Sequence, residues 1–321
     1  MSNFASGYVK YINHLEQIND AAVHDPEQMI AEVEGAYHEC LQTIAGDLAL
    51  HHPAARLVML SGPSSSGKTT TAHLLRQYLR DFGKTAHIIS LDDFYRGVEQ
   101  LPLLPNGERD YESIEALDVE RVKFSLKAVI DNGPLHVPRY DFSAGRPHPE
   151  EELYEIGPDE IVIVEGIHAL NPVFTGELPP DCYVRLYVSV KQQIKDANGE
   201  VISPMDLRLV RRIVRDIQFR STSAEETLAM WPGVEAGEDR YIRPYRISAD
   251  YTVNSIHIYE PCVLRTVAIP LLRAIAEDSP HYRKARDLES RLMRFEPLPS
   301  DLVPATSMLR EFLGDQSGFC S

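Results

Sequence analysis

The stretch Leu57–Thr71, LVMLSGPSSSGKTTT, constrains this chain more than any other. A short apolar run, Leu57–Leu60, reads as a buried strand. Gly62-Pro63-Ser64-Ser65-Ser66-Gly67-Lys68-Thr69 follows it, and a helical pattern begins at Thr70. Glycine, lysine and threonine at G-x-x-x-x-G-K-T spacing, between a strand and a helix, make a phosphate-binding loop. The glycines let backbone N–H groups turn inward onto phosphate oxygens. The new helix adds its unpaired N-terminal N–H groups and positive dipole end. In that setting Lys68 reaches the terminal phosphates of a nucleotide and the Thr69 hydroxyl holds Mg²⁺. An ordinary glycine-rich βα turn has no use for that lysine and threonine.

The remaining pattern is α/β. Thr85–Leu91, Ile161–Val164, Cys182–Val190 and Ala249–Asn254 read as further strands. Helical patterns over Ala72–Asp81, Asp118–Asn132 and Tyr259–Ala276 alternate with them, which predicts a doubly wound parallel sheet. The strand after the phosphate loop delivers Asp92-Asp93-Phe94-Tyr95 at its carboxyl end, the edge where open parallel sheets bind ligands. The third strand ends in Glu165, a carboxylate on the metal side of the site. A proline- and glycine-spaced segment, Pro134–Pro149, includes Val137-Pro-Arg-Tyr-Asp-Phe142.

Pro204–Arg220 predicts a helix with an apolar stripe (Leu207, Val210, Val214, Ile217) and a cationic side formed by Arg208, Arg211, Arg212, Arg215 and Arg220. The chain as a whole carries a net charge of −16. Arginines this dense, with few carboxylates nearby in sequence, would repel one another unless an anion sat among them. They read as a phosphate clamp rather than a solvated face.

Around this core, residues 1–53 read as a peripheral helical extension for packing or oligomerisation, with apolar residues at helical spacing over Pro26–Leu50. The phosphate-loop unit spans 54–277, and 204–245 within it has the composition of a lid. Ser221–Tyr245 there reads as a short helix followed by a mobile loop. A second extension, 278–321, shows helical patterns at 281–293 and 304–313 and ends in GDQSGFCS, expected to fray. The acidic balance argues against nucleic acid or an anionic membrane as partner. No stretch reaches the ~18 consecutive apolar residues of a membrane span, and the amino terminus lacks a signal-peptide pattern. A cytoplasmic protein is expected. The four cysteines show no C-x-x-C spacing, so neither zinc nor a disulfide framework is suggested.

A phosphate loop alone serves kinases, GTPase switches and motor ATPases. No N-K-x-D guanine-reading motif is present. The aspartate pair after the second strand could accept a proton from an attacking hydroxyl, while one of the two serves as a cap or turn former. GPSSSGKTT, SLDDFYRG, RDYESIEALD, VPRYDF, IVIVEGIHAL and RLVRRIVRDIQFR together resemble the uridine kinase and phosphoribulokinase group of P-loop kinases, over about residues 56–260. The likeness is greatest to a bacterial branch of uridine kinase-like nucleoside kinases. It implies a homo-oligomeric kinase using ATP and Mg²⁺, with Lys68, Thr69 and Glu165 around the donor. Asp92 would be general base to a 5′-hydroxyl, with Tyr95 on the acceptor side. Glu112 would lie on the ribose hydroxyls, Tyr140 and Phe142 in the aromatic nucleoside segment, and Arg212 on the ribose side. Arg211, Arg215 and Arg220 would lie on the donor and the transferring phosphate.

Departures fall on the base-reading positions. Gly145 stands where a histidine reads the pyrimidine, Thr222 where a lid arginine stands, and Met230 where a glutamine lies near the base. Losing those polar groups weakens base discrimination. The acceptor is therefore left open between a nucleoside and a sugar, sugar phosphate or other small alcohol. A non-catalytic ATP-binding regulator is the alternative of a different class.

Overall fold

In chain order, helices α1 (Leu15–His24) and α2 (Pro26–His51) precede β1 (Leu57–Ser61), α3 (Lys68–Asp81) and β2 (Ala86–Ser90). After α4 (Val119–Ile130) come β3 (Leu135–Asp141), β4 (Arg146–Tyr154) and β5 (Ile161–Glu165), then the single turn α5 (Pro172–Thr175) and β6 (Tyr183–Ser189). The short strands β7 (Ile194–Asp196) and β8 (Gly199–Ile202) lead to α6 (Pro204–Phe219), α7 (Ala224–Tyr241) and β9 (Tyr251–Asn254). Helices α8 (Glu260–Arg273), α9 (Tyr282–Leu292) and α10 (Arg310–Leu313) complete the chain. The computed structural model describes residues 13–104, 107–142 and 144–314. The carboxyl-terminal GDQSGFCS, expected to fray, lies outside them apart from its first residue.

Five strands form one parallel sheet in the order β2-β5-β1-β6-β9, with Leu57 opposite Val162 on one side and Tyr183 on the other. β1 is central because it is apolar on both faces. Val58 and Leu60 enter one core and Leu57 and Met59 the other. Ile161 and Ile163 of β5 join the first core, and Val162 and Val164 the second. Helices α2, α3, α6 and α8 cover the first face, and α4 covers the second. This is the doubly wound α/β sheet that the alternating pattern predicts.

Four segments differ from their sequence reading or go beyond it. Pro134–Pro149 belongs to an antiparallel hairpin, β3–β4, whose register shifts between Pro138 and Tyr140. Most of β4 is exposed, so the prolines cost it little there. Ser221–Tyr245 is dominated by an 18-residue helix rather than a mobile loop. Its start is fixed by a capping box in which Ser223 and Glu226 satisfy each other's backbone N–H groups, and Leu228, Trp231 and Val234 anchor it in the main core despite Pro232. Third, the amino-terminal extension is not peripheral. Leu41 and Leu48 of α2 are buried in the main core, and Tyr37 Oη lies 2.6 Å from Thr71 Oγ1 on the helix that follows the phosphate loop. In the carboxyl-terminal segment only Arg310–Leu313 of 304–313 is α-helical, yet Met308, Leu309 and Phe312 are fully buried. Ser307 Oγ, 2.5 Å from Glu34 Oε1, joins this segment to α2, and Tyr259 donates to the same carboxylate oxygen.

Candidate active site

β1 ends in the phosphate loop, and α3 begins within it. Gly67 sits at φ +87°, where a side chain is disfavoured, and as the N-cap residue it gives α3 no side-chain cap. A Cβ on Gly62 would lie 2.1 Å from the Val188 carbonyl oxygen, so that glycine is needed for close approach. The hydroxyls of Ser65 and Ser66 are buried with no hydrogen-bond partner among the described residues. A helix start with no cap from its N-cap residue, orphaned hydroxyls and glycine clearance suit a cradle for nucleotide phosphates.

The arginines of α6 brace this cradle from outside. Arg208 Nε donates to the Ser64 carbonyl at 2.9 Å, Arg211 Nη1 to the Ser65 carbonyl at 3.2 Å, and Arg212 Nη1 to Ser64 Oγ at 2.9 Å. Holding the carbonyls outward leaves the loop's N–H groups facing inward. This corrects the reading of Arg211 as a donor-binding residue. Arg211 and Glu260 are both 0% exposed, with N···O distances of 2.5 and 2.7 Å, and Arg208 pairs with buried Glu238 at 2.7 Å. The carboxylates expected to be scarce come from α7 and α8. Arg215 and Arg220 at the end of α6 lean on Asp216, at 2.8 and 3.7 Å.

Lys68 lies at the centre of the charge pattern. Burial lowers its pKa, Glu165, Asp92 and Glu311 pull it back up, and Arg215 pushes it down. Ser90 and Glu165 are register partners on adjacent strands, and Ser90 Oγ donates to Glu165 Oε1 at 2.9 Å. Asp92 follows two residues beyond Ser90, its N–H donating to Ser90 Oγ at 3.3 Å. Burial and the nearby Asp92 charge push the Glu165 carboxyl up, against Lys68 and Ser90. A carboxylate in that position suits a divalent cation, which Thr69 and Glu165 could hold; Mg²⁺ commonly takes its other ligands from water and phosphate. Asp93 is turned to the β3 hairpin, where the Tyr140 backbone hydrogen-bonds it and burial raises its pKa. Asp92 is thus the member of the pair that faces the phosphate loop.

The residues expected on the acceptor side gather around Glu112. Its carboxyl is pushed up to about 7 by burial, with Arg212 and Lys68 opposing and Asp92 and Asp110 reinforcing. Tyr95, Tyr140 and Phe142 form an aromatic group, with ring centroids 5.7 Å apart for Tyr95–Tyr140 and 4.9 Å for Tyr140–Phe142; Phe142 is 66% exposed. Gly145 is the turn of the hairpin at φ +63°, and a Cβ there would lie 2.6 Å from Val98 Cγ2. No side chain can read a base from that position. Met230 is 44% exposed on α7.

Two residues that the sequence did not single out border the site. His168, three residues past Glu165, is 2% exposed, and burial holds its pKa down to about 4, so the ring is neutral at physiological pH. Glu311, from the carboxyl-terminal segment, takes the Thr70 N–H at 3.3 Å and Thr70 Oγ1 at 2.9 Å on one carboxylate oxygen. Thr70 belongs to the expected phosphate cradle, so Glu311 and a nucleotide phosphate compete for one donor. Glu311→Gln is expected to tighten Mg·ATP binding about tenfold in titration calorimetry, by removing a charge-assisted competitor. Unchanged or weaker binding would show that carboxylate and nucleotide occupy separate positions.

A parallel sheet with a phosphate loop at its centre, a lysine beside two carboxylates at the strand ends and a helical cover make a P-loop nucleotide-binding fold. Residues 57–260 match the model of the Phosphoribulokinase / Uridine kinase family, and the chain belongs to that family. It is 29% identical over 206 residues to a uridine kinase of Borrelia hermsii, covering 62% of this chain and 85% of that protein. It is also 29% identical over 180 residues to a uridine kinase of Mycoplasma genitalium, covering 56% and 75%. Among solved structures, a D-glycerate 3-kinase from Cryptococcus neoformans superposes with a TM-score of 0.46 at 15% identity, covering 63% of this chain and 88% of that one. Among the described residues no helix is long and apolar enough to cross a membrane.

Proposed function

We propose that this protein transfers the terminal phosphate of ATP to a primary hydroxyl of a small alcohol, with a nucleoside as the first candidate and its 5′-hydroxyl as the acceptor atom. The observation that carries this reading is Asp92 and Glu165 at the ends of adjacent strands, both within electrostatic reach of Lys68. Asp92 accepts the proton of the attacking hydroxyl. Lys68 and Arg215 oppose the negative charge that spreads over the phosphoryl oxygens as the bond breaks, so positioning does most of the work. Thr69 and Glu165 would hold Mg²⁺, which would supply positive charge against the donor phosphates. Arg212 and Glu112 orient the hydroxyl-bearing part of the acceptor, and Tyr95, Tyr140 and Phe142 supply an apolar wall.

A sugar or other polyol is the second reading. It is favoured by the Gly145 turn, which offers no side chain for a base, and by exposed Met230. Product mass from ATP with uridine, cytidine, adenosine, D-ribose, D-fructose and D-glycerate separates the two. A phosphorylated nucleoside formed fastest supports the first reading. Faster phosphorylation of a free sugar or polyol overturns it in favour of the second.

A further inference from the structure

The carbonyl of Gly67, the residue just before α3, is held twice. It accepts the Thr71 N–H at 3.0 Å, the ordinary helical bond, and the Thr71 hydroxyl at 2.6 Å. A hydroxyl has one proton to give, and a carbonyl oxygen can only accept. Thr71 therefore donates to Gly67, and Tyr37 Oη, 2.6 Å from Thr71 Oγ1, is the donor in the remaining bond. The chain of bonds runs one way, from Tyr37 to Thr71 to Gly67. It is buried throughout: Thr71 is 0% exposed and Tyr37 5%. Burial raises the Tyr37 pKa, which keeps the phenol protonated and able to donate.

The Gly67 carbonyl shares a peptide unit with the Lys68 N–H. In a trans peptide these two groups point in opposite directions, and the peptide bonds of the described residues are all trans. Holding the carbonyl into α3 therefore aims the Lys68 N–H out of the helix start, where first-turn N–H groups have no helical acceptor and can meet an anion. A threonine within a helix has two open rotamers, and its hydroxyl reaches back to the carbonyl four residues earlier in only some arrangements. The bond from Tyr37 selects the arrangement that reaches Gly67. Arg208 and Arg211 hold the Ser64 and Ser65 carbonyls from outside the loop; Tyr37 acts at the other end, from behind α3. It does so from α2, whereas the match to the family begins at residue 57.

We infer that Tyr37 is a positioning residue for the phosphate donor. Acting through Thr71, it sets the Gly67–Lys68 peptide so that the Lys68 N–H meets the donor phosphates, and it leaves the acceptor side alone. The amino-terminal extension is thereby a working part of the nucleotide site. The inference rests on the reading of the loop as an ATP site.

The test measures Mg·ADP affinity by calorimetry, the KM values for ATP and acceptor, and the thermal midpoint. Tyr37→Phe keeps the ring and removes the donor. It is expected to weaken Mg·ADP binding and raise the ATP KM about fivefold, the size of one neutral hydrogen bond, with the acceptor KM unchanged. Tyr78→Phe is the matched control, because the Tyr78 hydroxyl meets His38 Nδ1 across the same α2–α3 contact, further from the loop. Both variants should lower the thermal midpoint, but Tyr78→Phe should leave nucleotide affinity as in wild type. Thr71→Ser keeps the hydroxyl and should bind nearly as wild type does. Thr71→Val keeps the shape without a donor and should reproduce the loss. Equal changes in nucleotide affinity for Tyr37→Phe and Tyr78→Phe, or a lower midpoint with unchanged affinity in Tyr37→Phe, would overturn the inference and make Tyr37 a packing residue. Mg·ADP binding needs no turnover, so the two readings separate. If wild type phosphorylates no acceptor, the kinase reading has failed; selective weakening of Mg·ADP by Tyr37→Phe still upholds the inference, and its absence rejects it.

Discussion

Asp92→Asn is expected to bind Mg·ATP as wild type does and to turn over about two to four orders of magnitude more slowly, the range for losing a general base. Asparagine matches aspartate in size and can still accept from a nearby hydroxyl, but it cannot take up the proton released as the oxygen attacks. Asp92 is well placed to do so. It stands past the end of β2 beside Glu165 and Lys68, whereas Asp93 is engaged with the Tyr140 backbone. Asp93→Asn is the internal control and should change turnover far less. The check is steady-state ADP release with a saturating acceptor, together with calorimetric ATP binding. Wild-type turnover in Asp92→Asn would remove the aspartate from the mechanism.

Arg211→Met is expected to destabilise the fold by about 3–5 kcal/mol, as when one partner of a buried ion pair is removed. The substitution strands Glu260, which is 0% exposed, and releases the Ser255 and Ser65 carbonyls from the guanidinium. Replacing Glu260 by Met as well should restore much of the loss, because two apolar side chains leave no unpaired charge. Denaturant unfolding of the two single variants and the double variant measures the coupling. A loss below about 1 kcal/mol for Arg211→Met, which is what a solvent-exposed pair contributes, would return Arg211 to the role of a free phosphate ligand.

These two residues show what could be read in the sequence and what could not. The sheet was legible because its strands are short β-branched or apolar runs buried on both faces, Ile161–Val164 most plainly. The phosphate loop was legible because its chemistry lies within eight consecutive residues. The position of Asp92 just past β2 was legible because the strand pattern itself ends there, at the edge where open parallel sheets bind ligands. Arg211 was misread because its partner, Glu260, lies 49 residues along the chain, and that of Arg208 lies 30 residues along. Spacing within a helix cannot reveal a carboxylate supplied by another one. Helix α7 was hidden by Pro232, which ordinarily breaks a helix, and β3–β4 by prolines and an exposed strand with no apolar alternation. His168 lies within IVIVEGIHAL but nothing in that run marks it apart, and Glu311 stands outside every quoted motif; only folding brings them to the 110–112 loop and to Thr70.

The measurement that tests the proposed function most directly is mass-resolved product formation from Mg·ATP and a panel of alcohol acceptors, with ADP quantified in the same tubes. A phosphomonoester formed one-for-one with ADP, present with wild type and nearly absent with Asp92→Asn, is the predicted result. Tight ATP binding with no phosphomonoester from any nucleoside, sugar or small alcohol would contradict it, and would instead favour an ATP-binding protein that regulates a partner.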